Sequence, residues 1–275
     1  MVAVINNFGG FYRTWVYVHE ARRCGAAIRQ PCVNMSTYKT TIYGSDIYIG
    51  FIHITGLQEQ LARSIEEARR IDGPFSGLDD FIARMSPGIE QVTLLIRTGA
   101  FRFTGKKKAI LLWEAHMLVN GKKQQYVKSL FSAPPRSFSL PELEHRNIED
   151  AYDEIELLGF PVCMTWFDML ETGFRGEITA DQMTSNVGKT VRMVGHLVTV
   201  KYIKTIKNDW MNFGCFIDAE GNFFDSTHFS KSLESYPFRG SGTYLMLGKV
   251  VEEFGFASLE VEKMAKLPVK PDTRY

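Results

Sequence analysis

Thr55 and Gly56 make a turn at the head of an amphipathic run, Ile54 to Arg70, in which Leu57, Leu61, Ile65 and Ala68 recur at helical spacing. A turn that leads straight into a helix aims backbone N–H groups and the positive end of the helix dipole at whatever docks there. With Arg63, Arg69 and Arg70 close in sequence, the fitting ligand is a nucleic-acid phosphate, in the manner of a helix-hairpin-helix that grips backbone without reading bases. The usual second glycine of such a hairpin is replaced by Gln58. Lys106, Lys107 and Lys108 follow a second helical unit and fit a further phosphate contact, although a lysine run is commonly a solvated face.

A different chemistry is written near the C-terminal end. Lys201, Lys204 and Lys207 flank a long turn, and Trp210, Phe213, Phe216, Phe223 and Phe224 follow on the next two strands. Cations beside rings suit single-stranded nucleic acid, with lysines on phosphates and rings stacked on bases at roughly 1–3 kcal/mol per base. Half of these rings must face a core, because strand residues alternate. Trp210 together with Phe213 or His228 is the expected exposed set.

Other chemistry is missing. The sequence has no paired-aspartate strand, no phosphate-binding G-x-x-x-x-G-K-[ST] and no G-x-S-x-G. Asp79-Asp80 opens a short helix, where carboxylates serve the dipole. Cys24, Cys32, Cys163 and Cys215 are scattered, and the six histidines do not cluster, so neither disulfides nor a metal site is expected. No catalytic residue is assigned.

These groups must be positioned by ordinary globular architecture. The chain has 275 residues, 45% of them hydrophobic and 23% charged, which excludes wholesale disorder. It has no apolar run of bilayer length and no signal-like start, so a cytoplasmic, membrane-free protein is expected. Charge is uneven: residues 1–130 are net +7, residues 131–185 net −8 and residues 186–275 net +2, pointing to surfaces with different partners.

Residues 1–40 hold an apolar strand-like start and a helix over 15–23 that ends at Gly25. They read as the tail of something larger. Residues 41–125 hold strand-like pieces at 41–52, then short helices joined by glycine turns. Residues 126–187 contain an extended Ser129–Pro135 stretch and an acidic helix over 143–158. From 188 to 268 the period changes: a long strand at 190–202 with Gly195 inside it, a hairpin around Asp218–Gly221, a short helix, and a last hairpin across Phe254-Gly255. That is the order of a five-stranded OB barrel. Residues 269–275 are a tail. The expected class is α+β and multidomain, a helical helix-hairpin-helix region followed by an OB-fold β-barrel.

The run Phe11-Tyr12, Val16–Gly25, Pro31-Cys-Val-Asn34, the hairpin at 54–70, Gly73-Pro-Phe, Leu78-Asp-Asp-Phe81 and Leu94–Phe101 resembles the bacterial DNA polymerase III alpha subunit, from the end of its fingers through its helix-hairpin-helix region. Glu156–Pro161 resembles the connector before that family's OB domain. The resemblance implies template-directed nucleotidyl transfer with magnesium held by palm aspartates, which have no counterpart in this sequence. It implies duplex binding through Thr55, Gly56, Gln58, Arg63 and Lys106–Lys108, and single-strand contact through Lys201, Lys204, Lys207 and Trp210. Family members also dock on the sliding clamp through a peptide ending in Leu-Phe. Ser129-Leu130-Phe131 is similar, although Val127 stands where a Gln is usual. Other replisome subunits are further implied partners. The error-prone paralogue shares this layout. The competing classes are a protein-docking module and a stand-alone nuclease, and the latter needs a carboxylate cluster.

Overall fold

The computed structural model describes residues 1–120, 146–206 and 208–274. The chain divides into two compact units, Met1–Cys163 with Asp272–Tyr275, and Met164–Pro271.

The first unit is mainly helical. It opens with α1 (Val2–Asn6), where an apolar strand was expected, and α2 (Thr14–Arg23), closed by Gly25 at φ 90°. Three short strands, β1 (Ala27–Arg29), β2 (Thr41–Tyr43) and β3 (Asp46–Tyr48), form one sheet in the order β1-β3-β2. A 3-10 turn at Phe51–His53 then leads into α3 (Glu59–Asp72). The helix starts five residues later than its apolar pattern begins, because Ile54 to Gln58 form the hairpin itself.

α4 (Leu78–Met85), α5 (Ile89–Arg97) and α6 (Lys108–Asn120) complete the array, with Ser86 at φ 45° breaking α4 from α5. Each helix turns an apolar stripe inward: Ala62 and Ile65 from α3, Leu78 and Phe81 from α4, Val92, Leu95 and Ile96 from α5. Edge-to-face contacts link Phe75, Phe81 and Phe101 at 5.1 Å between ring centres. α7 (Asn147–Leu158) packs on α5 and ends at Gly159, φ 88°.

The second unit is a closed barrel. β4 (Thr190–Lys204), β5 (Trp210–Ile217), β6 (Phe223–His228), β7 (Thr243–Glu253) and β8 (Phe256–Lys266) run in the order β4-β5-β6-β8-β7, with β7 closing on β4. The six-residue α8 (Ser230–Ser235) lies between β6 and β7. β4 serves two partners, pairing with β7 along residues 190–196 and with β5 along 196–204. It must coil to do so. Gly195 permits the coil, since a Cβ there would lie 2.6 Å from the Phe224 ring and 2.8 Å from Phe216.

The barrel interior is filled by Met193, Phe216, Phe224, Tyr244, Met246 and Val261 among others. The β5–β6 turn is fixed by Asp218, whose Oδ1 accepts from the backbone N–H groups of Glu220 and Asn222. This is a helical helix-hairpin-helix region followed by a five-stranded barrel with the OB strand order. Among the described residues, no helix is long and apolar enough to cross a membrane.

Candidate nucleic-acid interface

In the hairpin, Thr55, Gly56, Gln58, Glu59 and Gln60 are all exposed. Gly56 holds φ 82°, a conformation that favours glycine. The backbone N–H of Thr55 is already donated to the Leu157 carbonyl at 2.8 Å, so it does not face outward as the sequence had implied. The α3 N-cap, Gln58, makes no side-chain capping bond. The first-turn N–H groups of Glu59, Gln60 and Leu61 therefore have no helical or capping acceptor.

The loop is held open by a residue far away in sequence. Gln91 of α5 is buried; its Oε1 accepts from Gln58 N–H at 2.8 Å, and its Nε2 donates to the Gly56 carbonyl at 3.1 Å. Gln91 was not singled out from sequence. The available signal was one carboxamide among the inward-facing Val92, Leu95 and Ile96.

The cations expected beside this loop are differently placed. Arg63 donates to Glu59 at 2.8 Å and lies over the Tyr38 ring at 4.2 Å. Its hydrogen bond holds the exposed Glu59 carboxyl below its usual range. Arg69 donates to the carbonyls of Val33 and Ser36, and Arg70 pairs with Glu67. Lys106 pairs with Glu114 at 2.7 Å, and Lys107 is exposed. Lys108 is the clear departure: its ammonium sits between Asp150 and Asp153 of α7, with only 14% of the side chain exposed. An internal ion pair has replaced the outward phosphate contact expected of it.

On the barrel, the strand register joins lysines to rings. Lys201 stands opposite Phe213, and Lys204 opposite Trp210. Lys204 Nζ lies 5.0 Å from the centre of the Trp210 ring and also donates to Asn208 Oδ1. Both lysines belong to β4 itself, which runs on to residue 204, rather than to the turn. Trp210 is 54% exposed and Phe213 40%. Tyr202, two residues from Lys204, shares its face of the ribbon and is also exposed. It was not anticipated.

His228 corrects the expected exposed set. It is fully buried in the barrel, 2.9 Å from Ser226 Oγ through Nε2 and 4.6 Å from the Phe238 ring. Burial pushes its pKa down to about 4. The alternation of β6 turns this residue inward, where it is a packing element.

Residues 25–111 match a family model described as a helix-hairpin-helix motif. An error-prone DNA polymerase of Mycobacterium tuberculosis is 32% identical over 115 residues, 41% of this chain and 10% of the relative. The DNA polymerase III subunit alpha of Aquifex aeolicus is 29% identical over 210 residues, 74% of this chain and 17% of the relative. The chain is homologous to DNA polymerase III alpha subunits and error-prone DNA polymerases over part of their length. It spans between about a tenth and a sixth of those two relatives. Among solved structures, the wild-type single-stranded DNA binding protein from Thermus aquaticus has a TM-score of 0.28 and 15% identity, covering 31% of this chain and 43% of that one.

Within this polymerase-related chain, Ser129, Leu130 and Phe131, and also Lys207, lie outside the described residues. Among the described residues, no group of three or more His, Cys, Asp or Glu side chains is gathered to hold a metal ion. Asp80 accepts from Ser76 N–H and pairs with Arg84, a helix-entry role. The described residues do not fit a magnesium centre.

Proposed function

We propose that this chain is a nucleic-acid grip of a DNA polymerase III alpha-type or error-prone polymerase, holding duplex through the hairpins and single strand through the barrel. The observation that carries the reading is the exposed β4–β5 ribbon, where Lys204 lies over the Trp210 ring on one face and Lys201 stands opposite Phe213 on the other. A base stacked on Trp210 would leave its phosphate within reach of a flexible Lys204 side chain. The first-turn amides of α3 supply a second, base-independent hold on backbone phosphates.

Magnesium-dependent nucleotidyl transfer would then belong to other parts of the parent enzyme. The Ser129-Leu130-Phe131 sequence supports docking on a sliding clamp, and the polymerase homology supports wider contact with replisome subunits in a cytoplasmic setting.

The test is fluorescence anisotropy on a primer–template with a single-stranded overhang, repeated across salt. Lys201→Ala with Lys204→Ala is expected to flatten the log–log salt slope by about 1.4, at roughly 0.7 per single-strand phosphate contact. Trp210→Ala is expected to weaken overhang binding by about 1–3 kcal/mol. Unchanged overhang affinity in both variants would remove the barrel from the interface.

A further inference from the structure

The barrel carries a second aromatic tip, unlike the ribbon in charge. β7 and β8 pair as far as Glu253 opposite Phe256, so their connection is only Phe254 and Gly255, at φ 52° and 82°. Two positive φ values make a hairpin turn that ordinarily selects Asn-Gly. Phe254 is a steric outlier there. Phe254 is 100% exposed, and Phe256 is 80% exposed. Neither backbone preference nor packing accounts for a phenylalanine at this position.

Charge decides what such an anchor fits. Glu252 and Glu253 on the stem are exposed, and residues 250–258 contain no Lys or Arg. A nucleic-acid backbone arriving at the turn would meet two carboxylates first, since the nearby cations Lys189 and Lys249 stand at the base of the stem, beside Val250. The tip is also remote from the ribbon along the strands. Asn212, near the start of β5, pairs with His228 at the end of β6, whereas the parallel pairing of Ser226 with Leu259 carries Phe256 toward the start of β6.

We infer that the Phe254–Phe256 tip is a protein-docking element whose occupant is a partner protein offering an apolar pocket rimmed by lysine or arginine. Aromatic anchors seated in a desolvated pocket, with charges at the rim, are the usual energetic centre of such contacts. The complementary sign at the rim steers the encounter and rejects acidic surfaces. This role stands independently of the nucleic-acid reading.

The test follows the backbone amide NMR signals of Phe254, Gly255 and Phe256 in the isotope-labelled full chain. Three probes are added in turn: an amphipathic leucine–lysine peptide, its leucine–glutamate counterpart, and an oligothymidylate. The expected result is a shift at the tip with the leucine–lysine peptide alone, diminished by salt, by Glu252→Gln with Glu253→Gln, and by Phe254→Asn. The asparagine variant suits the turn better, so its melting temperature should hold or rise, separating lost docking from lost folding. The inference is overturned if oligothymidylate moves the tip signals, if both peptides or neither do so, or if they move with chain concentration alone, which would make the occupant a second copy.

Discussion

Gln91 shows how one side chain can shape a loop without belonging to it. The hairpin departs from the common glycine pattern at Gln58, and the bond from Gln58 N–H to the Gln91 carboxamide fixes the backbone at that position. The second bond, to the Gly56 carbonyl, makes the contact two-pronged. Gln91→Leu keeps the buried volume and removes both bonds. Because Gly56 and Gln58 are exposed, water can replace the lost partners, so the stability cost should be near about 1 kcal/mol, the net value of a typical hydrogen bond. Duplex affinity should fall several-fold while single-strand affinity stays level, measured by anisotropy with the two probes. Equal losses on both would show that Gln91 supports only the fold.

Among the elements, α3 presents competing charges at its own N-terminus. Glu59 occupies the first helical position, where a carboxylate is favoured by the dipole, and Arg63 neutralises it one turn on. A docking phosphate must share that dipole with Glu59. Glu59→Gln should therefore tighten duplex binding about two- to fivefold, the factor given by about 0.3–1 kcal/mol of dipole interaction, and free Arg63 for the ligand. A titration showing weaker duplex binding would instead make the Glu59–Arg63 pair part of the grip. Legibility followed the same scale. The barrel order was readable because long alternating strands and the turns at Asp218–Gly221 and Phe254-Gly255 are local signals. The hairpin array was readable from glycine-terminated helices. Less readable was the start of α3, since periodicity ran backward through the loop, and the opening α1, whose five apolar-rich residues carry no period. The fate of Lys108 was hidden altogether, because its partners lie more than 40 residues away on α7.

At the scale of the whole molecule, part of the uneven sequence charge is neutralised inside the fold. In the first unit the acidic α7 is folded onto cations from the basic part of the sequence: Arg97 with Asp153 and Glu156, Arg102 with Asp150, and Lys108 with Asp150 and Asp153. Arg274, from the tail, joins the same carboxylates. Burial works against the Asp153 carboxylate, but the hydrogen bonds from Lys108 and Arg97 outweigh it and hold its pKa below the usual range. Such groups lose their stabilising contribution only as pH falls into the ordinary carboxylate range and below it. Three histidines act earlier. Desolvation lowers His53 and His228 to about 4 and, with a smaller contribution from Lys266, His196 to about 3, against an ordinary value of 6.5. For each, the unfolded chain binds the proton that the folded chain refuses. Stability is therefore full above about pH 6.5 and declines as pH falls toward 4, by up to about 1.4 kcal/mol per pH unit for each histidine. Two of the three lie in the barrel unit, so its denaturation midpoint should drop first between neutral pH and pH about 5, before any carboxylate contributes. Denaturant titrations at a series of pH values, read by amide NMR signals of the barrel unit, would follow this directly. A barrel midpoint that stays level until the carboxylate range would mean that these imidazoles accept protons without leaving their sites.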